Sequence, residues 1–211
     1  MKLFNLPTWL TLSRIGITPV IIVLLYFPNK ITCLVAALLY VAASISDYVD
    51  GKMARRYGQV TSFGKFLDPL ADKVLNCSIL IMFTYLQWVP AWLVIIIIFR
   101  ELMVTGLRAI AADEGYVMAA DRFGKLKTVL QSFAIVPLTL RFEWFGINLV
   151  PIGEVLLYAA LVLTVFSGGK YLYDFYSYWV EIQEKRDAEA KNAESARVEE
   201  AAGENETQSA E

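Results

Sequence analysis

Four aspartates carry the chemistry that stands out in this sequence: Asp47 and Asp50, three residues apart, and Asp68 and Asp72, four apart. On a helix, residues three or four apart share a face, so each pair presents two carboxylates in one direction. Brought to one point by two helices, four anions repel one another unless cations lie between them. Carboxylate oxygens without imidazole or thiolate partners suit a hard divalent cation, Mg²⁺, Mn²⁺ or Ca²⁺, rather than zinc. Arg55 adds a planar fork that matches phosphate oxygens, while Gly51, Ala54 and Gly64 leave room for a flat or bulky ligand. Acids, metal, arginine and small residues together suit phosphoryl-type transfer, with the metal clamping a diphosphate. The bland alternative, a set of interhelical ion pairs, fails because four acids have too few bases near them.

The elements that must hold these acids are apolar. The chain has 211 residues, of which 57% are hydrophobic and only 19% charged, with a mean hydropathy of +0.50. A soluble domain of this size could not hide so much apolar surface, so the surplus is expected to face lipid. Spanning helices need about 20 mostly apolar residues. Six stretches qualify, near 8–27, 31–55, 65–86, 90–112, 124–141 and 152–178. The uncharged run 74–99 is divided at Gln87-Trp88-Val89-Pro90 into the ends of two helices. The expected architecture is therefore all-α: a polytopic membrane domain of six transmembrane helices over residues 1–180. No cleavable signal peptide is expected, and Cys33 and Cys77 read as packed or lipid-facing small hydrophobes.

Charge sets the orientation. Lys30 and Arg141 fall in odd-numbered connections, and the other 17 of the 19 basic residues fall on the opposite side. That side is expected to be cytoplasmic, with both termini on it. Residues 181–211 hold 10 acids and 4 bases, so the first 180 carry a net +4 while the chain as a whole is −2. This acidic tail is expected to be disordered or a frayed extension of the last helix. Charges also intrude into the spans: Arg14, the four aspartates, Arg100 and Glu101, Lys125 and Lys127, Lys170 and Asp174. With alternating helix directions, all of them fall in the cytoplasmic half. Lysine and arginine can snorkel to the surface, but aspartate is too short. A shared polar cavity open to the cytoplasm accounts for them.

The spacing DxxDGxxAR(x8)GxxxDxxxD, running from Asp47 to Asp72, resembles the signature of the CDP-alcohol phosphatidyltransferases, and all eight fixed positions match. The resemblance implies a six-helix membrane enzyme, commonly a homodimer, that cleaves a CDP-linked lipid and joins the lipid phosphate to an alcohol. It implies that Asp47, Asp50, Asp68 and Asp72 hold Mg²⁺ or Mn²⁺, as two ions, and that Asp72 is also the general base. It implies too that Asp47, Gly51, Ala54, Arg55 and Gly64 surround the nucleotide of CDP-diacylglycerol.

Further segments resemble one branch of that family, the phosphatidylglycerophosphate synthases. They are Asn5-Leu-Pro-Thr8 with Arg14, Arg100-Glu101 through Thr105 to Arg108, and Gly124-Lys125-Leu-Lys127-Thr128 with Gln131. The branch implies glycerol 3-phosphate as acceptor, its phosphate held by bases among Arg14, Arg100, Arg108, Lys125 and Lys127. Lys125 and Lys127, two apart, point to different sides, so that one of them is expected to enter the cavity. Inositol phosphate or phosphatidylglycerol as acceptor remains open, as does a cation transporter that uses the aspartates for permeation. Membrane lipid is an expected partner; nucleic acid is not.

Overall fold

The computed structural model describes the backbone of residues 6–57, 62–113, 121–144 and 146–208, and the side chains of 13–46, 70–113, 121–144 and 146–186. Its described residues form six helices: α1 (Leu6–Tyr26), α2 (Lys30–Tyr57), α3 (Ser62–Tyr85), α4 (Ala91–Asp113), α5 (Arg122–Thr139) and α6 (Val150–Gln208). The expected stretches and these helices coincide closely, apart from the last.

The helix ends are written locally. Asn29 caps α2, its Oδ1 accepting from the amides of Ile31 and Thr32 at 2.9 Å each. Thr32 Oγ1 answers by accepting from Asn29 N at 2.9 Å, a reciprocal capping arrangement. At the end of α3, Gln87 takes the left-handed conformation with φ 57°. Its amide donates to Thr84 O at 3.0 Å, and that of Trp88 donates to Phe83 O at 2.8 Å. This pair of bonds is a Schellman closure, and Pro90 beyond it lets the chain restart as α4. The link between α5 and α6 is tied by Trp144 and Ile147, which exchange backbone hydrogen bonds at 3.1 and 2.9 Å.

The interior is an apolar seam of Ile21, Leu25, Tyr40, Leu75, Ile79, Phe83, Ile97, Ile135, Leu138 and Leu157. The exterior is apolar as well. Ile31, Phe99, Phe133 and Phe166 are each between 66% and 73% exposed, on four different helices. Rows of large side chains this open to the outside suit contact with lipid rather than water. By length and composition one described stretch, Val150–Arg186, can cross a bilayer, and Ser13–Tyr26 and Lys30–Ser46 are shorter apolar helices. Polar residues within the other helices lower their hydropathy, and those residues turn inward, as described below.

Helix α6 differs from its expected span by running unbroken to Gln208, 59 residues in all. Its polar continuation is a good helix former rich in Ala and Glu, with side-chain support of the i,i+4 kind. Lys185 Nζ donates to Glu181 Oε1 at 2.6 Å, a contact that holds the Glu181 carboxyl below its ordinary range and Lys185 above its own.

Close approach of α5 and α6 depends on Gly153. A Cβ there would lie 2.7 Å from Leu138 Cγ and 3.0 Å from Leu138 N. Backbone cannot yield as a side-chain tip can, so Gly153→Ala is expected to destabilise the bundle by about 1–3 kcal/mol. A lowered thermal midpoint in detergent would register it; an unchanged midpoint would show that α5 and α6 separate freely.

Candidate active site

Glu101 on α4 is the centre of a charged cluster inside the bundle. Its carboxylate pairs with Lys127 of α5, whose side chain is 1% exposed, and also lies 3.5 Å from Arg100 Nη1 and 3.7 Å from Lys73 Nζ. Lys73, on α3, donates in addition to Thr105 Oγ1 and, at 3.4 Å, to the Glu101 carbonyl. Arg100 reaches the other way, its Nη2 donating to Ser167 Oγ of α6 at 2.8 Å. Three helices thus meet around one carboxylate, and Arg100 links it to a fourth. A buried ammonium is tolerable only with such a partner beside it.

Lys73, Arg100, Glu101, Thr105 and Lys127 wall a cavity of about 410 Å³ together with Asp72, Asn76, Arg108, Asp121, Lys125, Gln131 and Tyr171. Among the described residues five bases and three acids face it, a positive excess. Arg100 Nε, Gln131 Oε1 and Asp121 Oδ2 are buried there without a hydrogen-bond partner among the described residues. Unmatched donors and acceptors of this kind call for a polar ligand or water. The cavity therefore suits a small anion that also carries hydroxyl groups.

Asp72 stands at the boundary between this cavity and a second one of about 630 Å³. The second is lined mainly by α2 and α5, with Tyr40, Val41, Ile45, Phe133 and Val136 among its walls. The Asp72 side chain is fixed by a buried relay. Asn76, one turn further along α3, donates its Nδ2 to Asp72 Oδ1 at 2.9 Å. Tyr40 of α2 in turn donates its hydroxyl to Asn76 Oδ1 at 2.8 Å. The tyrosine sets which way the amide points, and the amide holds one carboxylate oxygen, as is needed to present the other in a constant direction.

The sequence-expected residues divide into three groups. Arg100, Arg108, Lys125 and Lys127 all line the first cavity, including both lysines rather than one. Lys127 is buried and Lys125 exposed at the cavity edge, so α5 presents them at different depths. Arg14 is buried in α1, where Thr18 donates to its carbonyl, and it lies outside that lining. The side chains of Asp47, Asp50, Gly51, Ala54, Arg55, Gly64 and Asp68 lie outside the described residues. Their backbone runs in α2 and at the start of α3. Asn76, Tyr40, Lys73, Ser167 and Tyr171 were not anticipated. Asn76 could have been found as the residue four beyond Asp72, on its face.

Comparison with known proteins agrees with this geometry. The model of the CDP-alcohol phosphatidyltransferase family matches residues 4–166. The chain belongs to that family. It is 40% identical to a CDP-diacylglycerol--glycerol-3-phosphate 3-phosphatidyltransferase of Bacillus subtilis, with 80% of this chain and 94% of that protein covered. Similarity to the proteins of the same name from Rickettsia typhi and Rickettsia prowazekii is 43% identity over 79% of this chain. As a CDP-alcohol phosphatidyltransferase the chain is a transferase, and Asp72 with its relay occupies the last position of the family's aspartate pattern.

The relay yields a prediction. Asn76→Leu removes the donor to Asp72 Oδ1 and the acceptor for the Tyr40 hydroxyl together. The expected result is a fall in kcat of about 10- to 100-fold, equivalent to roughly 1.4–2.8 kcal/mol, with little change in either KM. Steady-state kinetics of the purified variant measures it, and an unchanged kcat would show that Asp72 needs no such support.

Proposed function

We propose that this protein transfers the phosphatidyl group of CDP-diacylglycerol to sn-glycerol 3-phosphate, giving phosphatidylglycerophosphate and CMP. The observation that carries this reading is the positive cavity that gathers Arg100, Arg108, Lys125 and Lys127 against Asp72. Glycerol 3-phosphate is a small anion with two hydroxyl groups, which suits both its excess charge and its unmatched polar atoms. The proteins of B. subtilis and Rickettsia named above carry this activity in their names.

The proposed enzyme is a bacterial inner-membrane protein, with residues 1–180 crossing the bilayer six times and residues 181–211 an acidic tail. Both termini and the active site face the cytoplasm, and the chain works as a homodimer. The apolar exterior of the helices and the one-sided placement of bases support this arrangement.

The donor set fits a divalent cation. Asp47 and Asp50 on α2 and Asp68 and Asp72 on α3 supply only hard oxygens, three and four residues apart. These four would hold Mg²⁺ or Mn²⁺, which supplies charge neutralisation to the diphosphate when bound. Asp47, Gly51, Ala54, Arg55 and Gly64 surround the cytidine diphosphate. The acyl chains take the cavity between α2 and α5, which shares Asp72 with the acceptor pocket.

In the reaction, the bases of the inner cavity grip the acceptor phosphate and turn its C1 hydroxyl toward Asp72. Asp72, held through Oδ1 by Asn76, takes the hydroxyl proton. The freed oxygen attacks the phosphorus that bears diacylglycerol, and the bond from that phosphorus to CMP breaks in line. CMP leaves with the bonding electron pair toward the cytoplasm, and the lipid product moves sideways between helices.

The decisive experiment measures CMP release by purified protein with CDP-diacylglycerol, with and without glycerol 3-phosphate. Release should depend on the acceptor, stop in EDTA and return with Mg²⁺ or Mn²⁺. Release with inositol phosphate or phosphatidylglycerol alone would reassign the acceptor. Metal flux in liposomes without CMP would make the protein a transporter.

Acceptor binding supplies another prediction. A hydrogen bond to a charged group is worth about 1.5–3 kcal/mol, so Lys125→Ala or Arg108→Ala should raise the acceptor KM by roughly 10- to 150-fold. The KM for CDP-diacylglycerol should hardly move. Lys30→Ala and Arg141→Ala should change neither, because these bases stack on Trp144 and Trp88 away from the cavity. An unmoved acceptor KM in both cavity variants would remove the phosphate pocket.

A further inference from the structure

Two guanidinium groups of the positive cavity share one aromatic ring. Arg100 lies 5.6 Å and Arg108 5.4 Å from the ring centre of Tyr171. Tyr171 belongs to α6, is 5% exposed and lines the cavity itself. It stands beyond the residues matched by the family model, which end at 166. Its hydroxyl accepts from the backbone amide of Asp121 at 3.0 Å, at the entry to α5. Asp121 in turn receives Lys170 at 3.0 Å, from the neighbouring position on α6.

The surroundings leave Arg100 little freedom. A Cβ at Gly168 would sit 3.1 Å from Arg100 Cγ, and one at Gly124 would sit 3.3 Å from Arg100 Nη2. Ser167 Oγ accepts a hydrogen bond from Arg100 Nη2 at 2.8 Å. The arginine passes between α5 and α6 through a slot kept open by two glycines. Two cations this near one another repel, and the electron-rich face of a ring offsets that repulsion in a way that aliphatic carbon does not.

We propose that Tyr171 is a positioning residue for acceptor selectivity: its ring holds Arg100 and Arg108 in the register that receives the acceptor phosphate. Its hydroxyl couples that register to the start of α5, the helix that carries Lys125 and Lys127. The inference rests on the acceptor-pocket reading above and adds to it a determinant on α6. The ring acts through the arginines, so its loss alters acceptor affinity and leaves the donor lipid site unchanged.

The test compares wild type, Tyr171→Phe, Tyr171→Leu and Ser167→Ala as purified full-length protein in detergent. Three quantities are measured: the KM for glycerol 3-phosphate, the KM for CDP-diacylglycerol, and the inhibition constant of inorganic phosphate in CMP release. Tyr171→Leu should raise the acceptor KM and the phosphate inhibition constant together by about tenfold, the scale of two weak cation–aromatic contacts. The KM for CDP-diacylglycerol should stay within about twofold. Tyr171→Phe keeps the ring and should restore most of the loss. Ser167→Ala, which frees Arg100 alone, should move the same two constants by a smaller factor; it also carries the test should Tyr171→Leu fail to fold. Equal rises in both substrate KM values, no rise in the acceptor KM, or a Tyr171→Phe variant as impaired as Tyr171→Leu would each overturn the proposal. Failure of the acceptor assignment is distinguishable. There the wild type would release CMP with a different phosphorylated alcohol, and the phosphate inhibition constant would still report on Tyr171.

Discussion

The buried pair of Lys127 and Glu101 is the constraint on which the rest of the site depends. An ammonium 1% exposed within an apolar bundle is sustained by an anion in contact with it. Because Glu101 also lies within reach of Arg100 and Lys73, the same carboxylate lets three bases approach one another. Those bases come from α3, α4 and α5, and Arg100 extends the connection to α6 through Ser167. The helices are therefore joined at their polar end by charge, and along their remaining length by the seam of Ile79, Phe83, Ile97, Ile135 and Leu138. Apolar packing alone would permit several rotations of α5 about its axis. The ion pair selects the one that turns Lys127 inward.

The cluster also sets what the cavity will accept. Three acids against five bases leave a positive excess that an anion can balance without stripping any base of its partner. Among the described residues, Lys170 engages Asp121 Oδ1 and the Asn76 amide engages Asp72 Oδ1. A neutral polyol would leave that excess standing. A highly charged anion would instead crowd Glu101 and Asp72. A single phosphate with hydroxyl groups matches both limits, which is why charge and the unmatched Arg100 Nε and Gln131 Oε1 agree on one kind of acceptor.

Much of this was legible in the sequence, for identifiable reasons. Apolar runs and their punctuation by Pro28-Asn29 and Val89-Pro90 marked six helices, the first five to within three residues at each end, because caps and closures are local. The aspartate spacing gave the family, and charges confined to one end of the spans gave the polar cavity. What could not be read was which inward residues meet. Tyr171 and Arg100 are brought together only by packing of α4 against α6, and nothing in the sequence around Tyr171 marks it from the other tyrosines of that helix. Lys125 and Lys127 illustrate the same limit. Their separation by two positions implied opposed directions, but a cavity that wraps around α5 receives a buried side chain and one at its edge alike. Helix α6 was underestimated because apolar periodicity ends near residue 178 while helix propensity does not.

Asp72 shows why a lipid-modifying site takes this form. The acceptor is polar and comes from water; the donor is anchored in lipid by its acyl chains. Their reacting atoms can meet only where a polar chamber adjoins an apolar one, and among the described residues Asp72 is the acid that lines both. A carboxylate at such a boundary would swing toward water if free to do so, drawing the oxygen proposed to accept the proton away from the lipid side. The Tyr40–Asn76 relay opposes that motion from the apolar side, since both groups are buried and each satisfies the other. A flexible glutamate one carbon longer would lose this registration even though its charge were unchanged. On the proposed reading the aspartate pattern is as much a statement about side-chain length as about charge, since short acids on two helices would have to be brought to the ligand by the backbone.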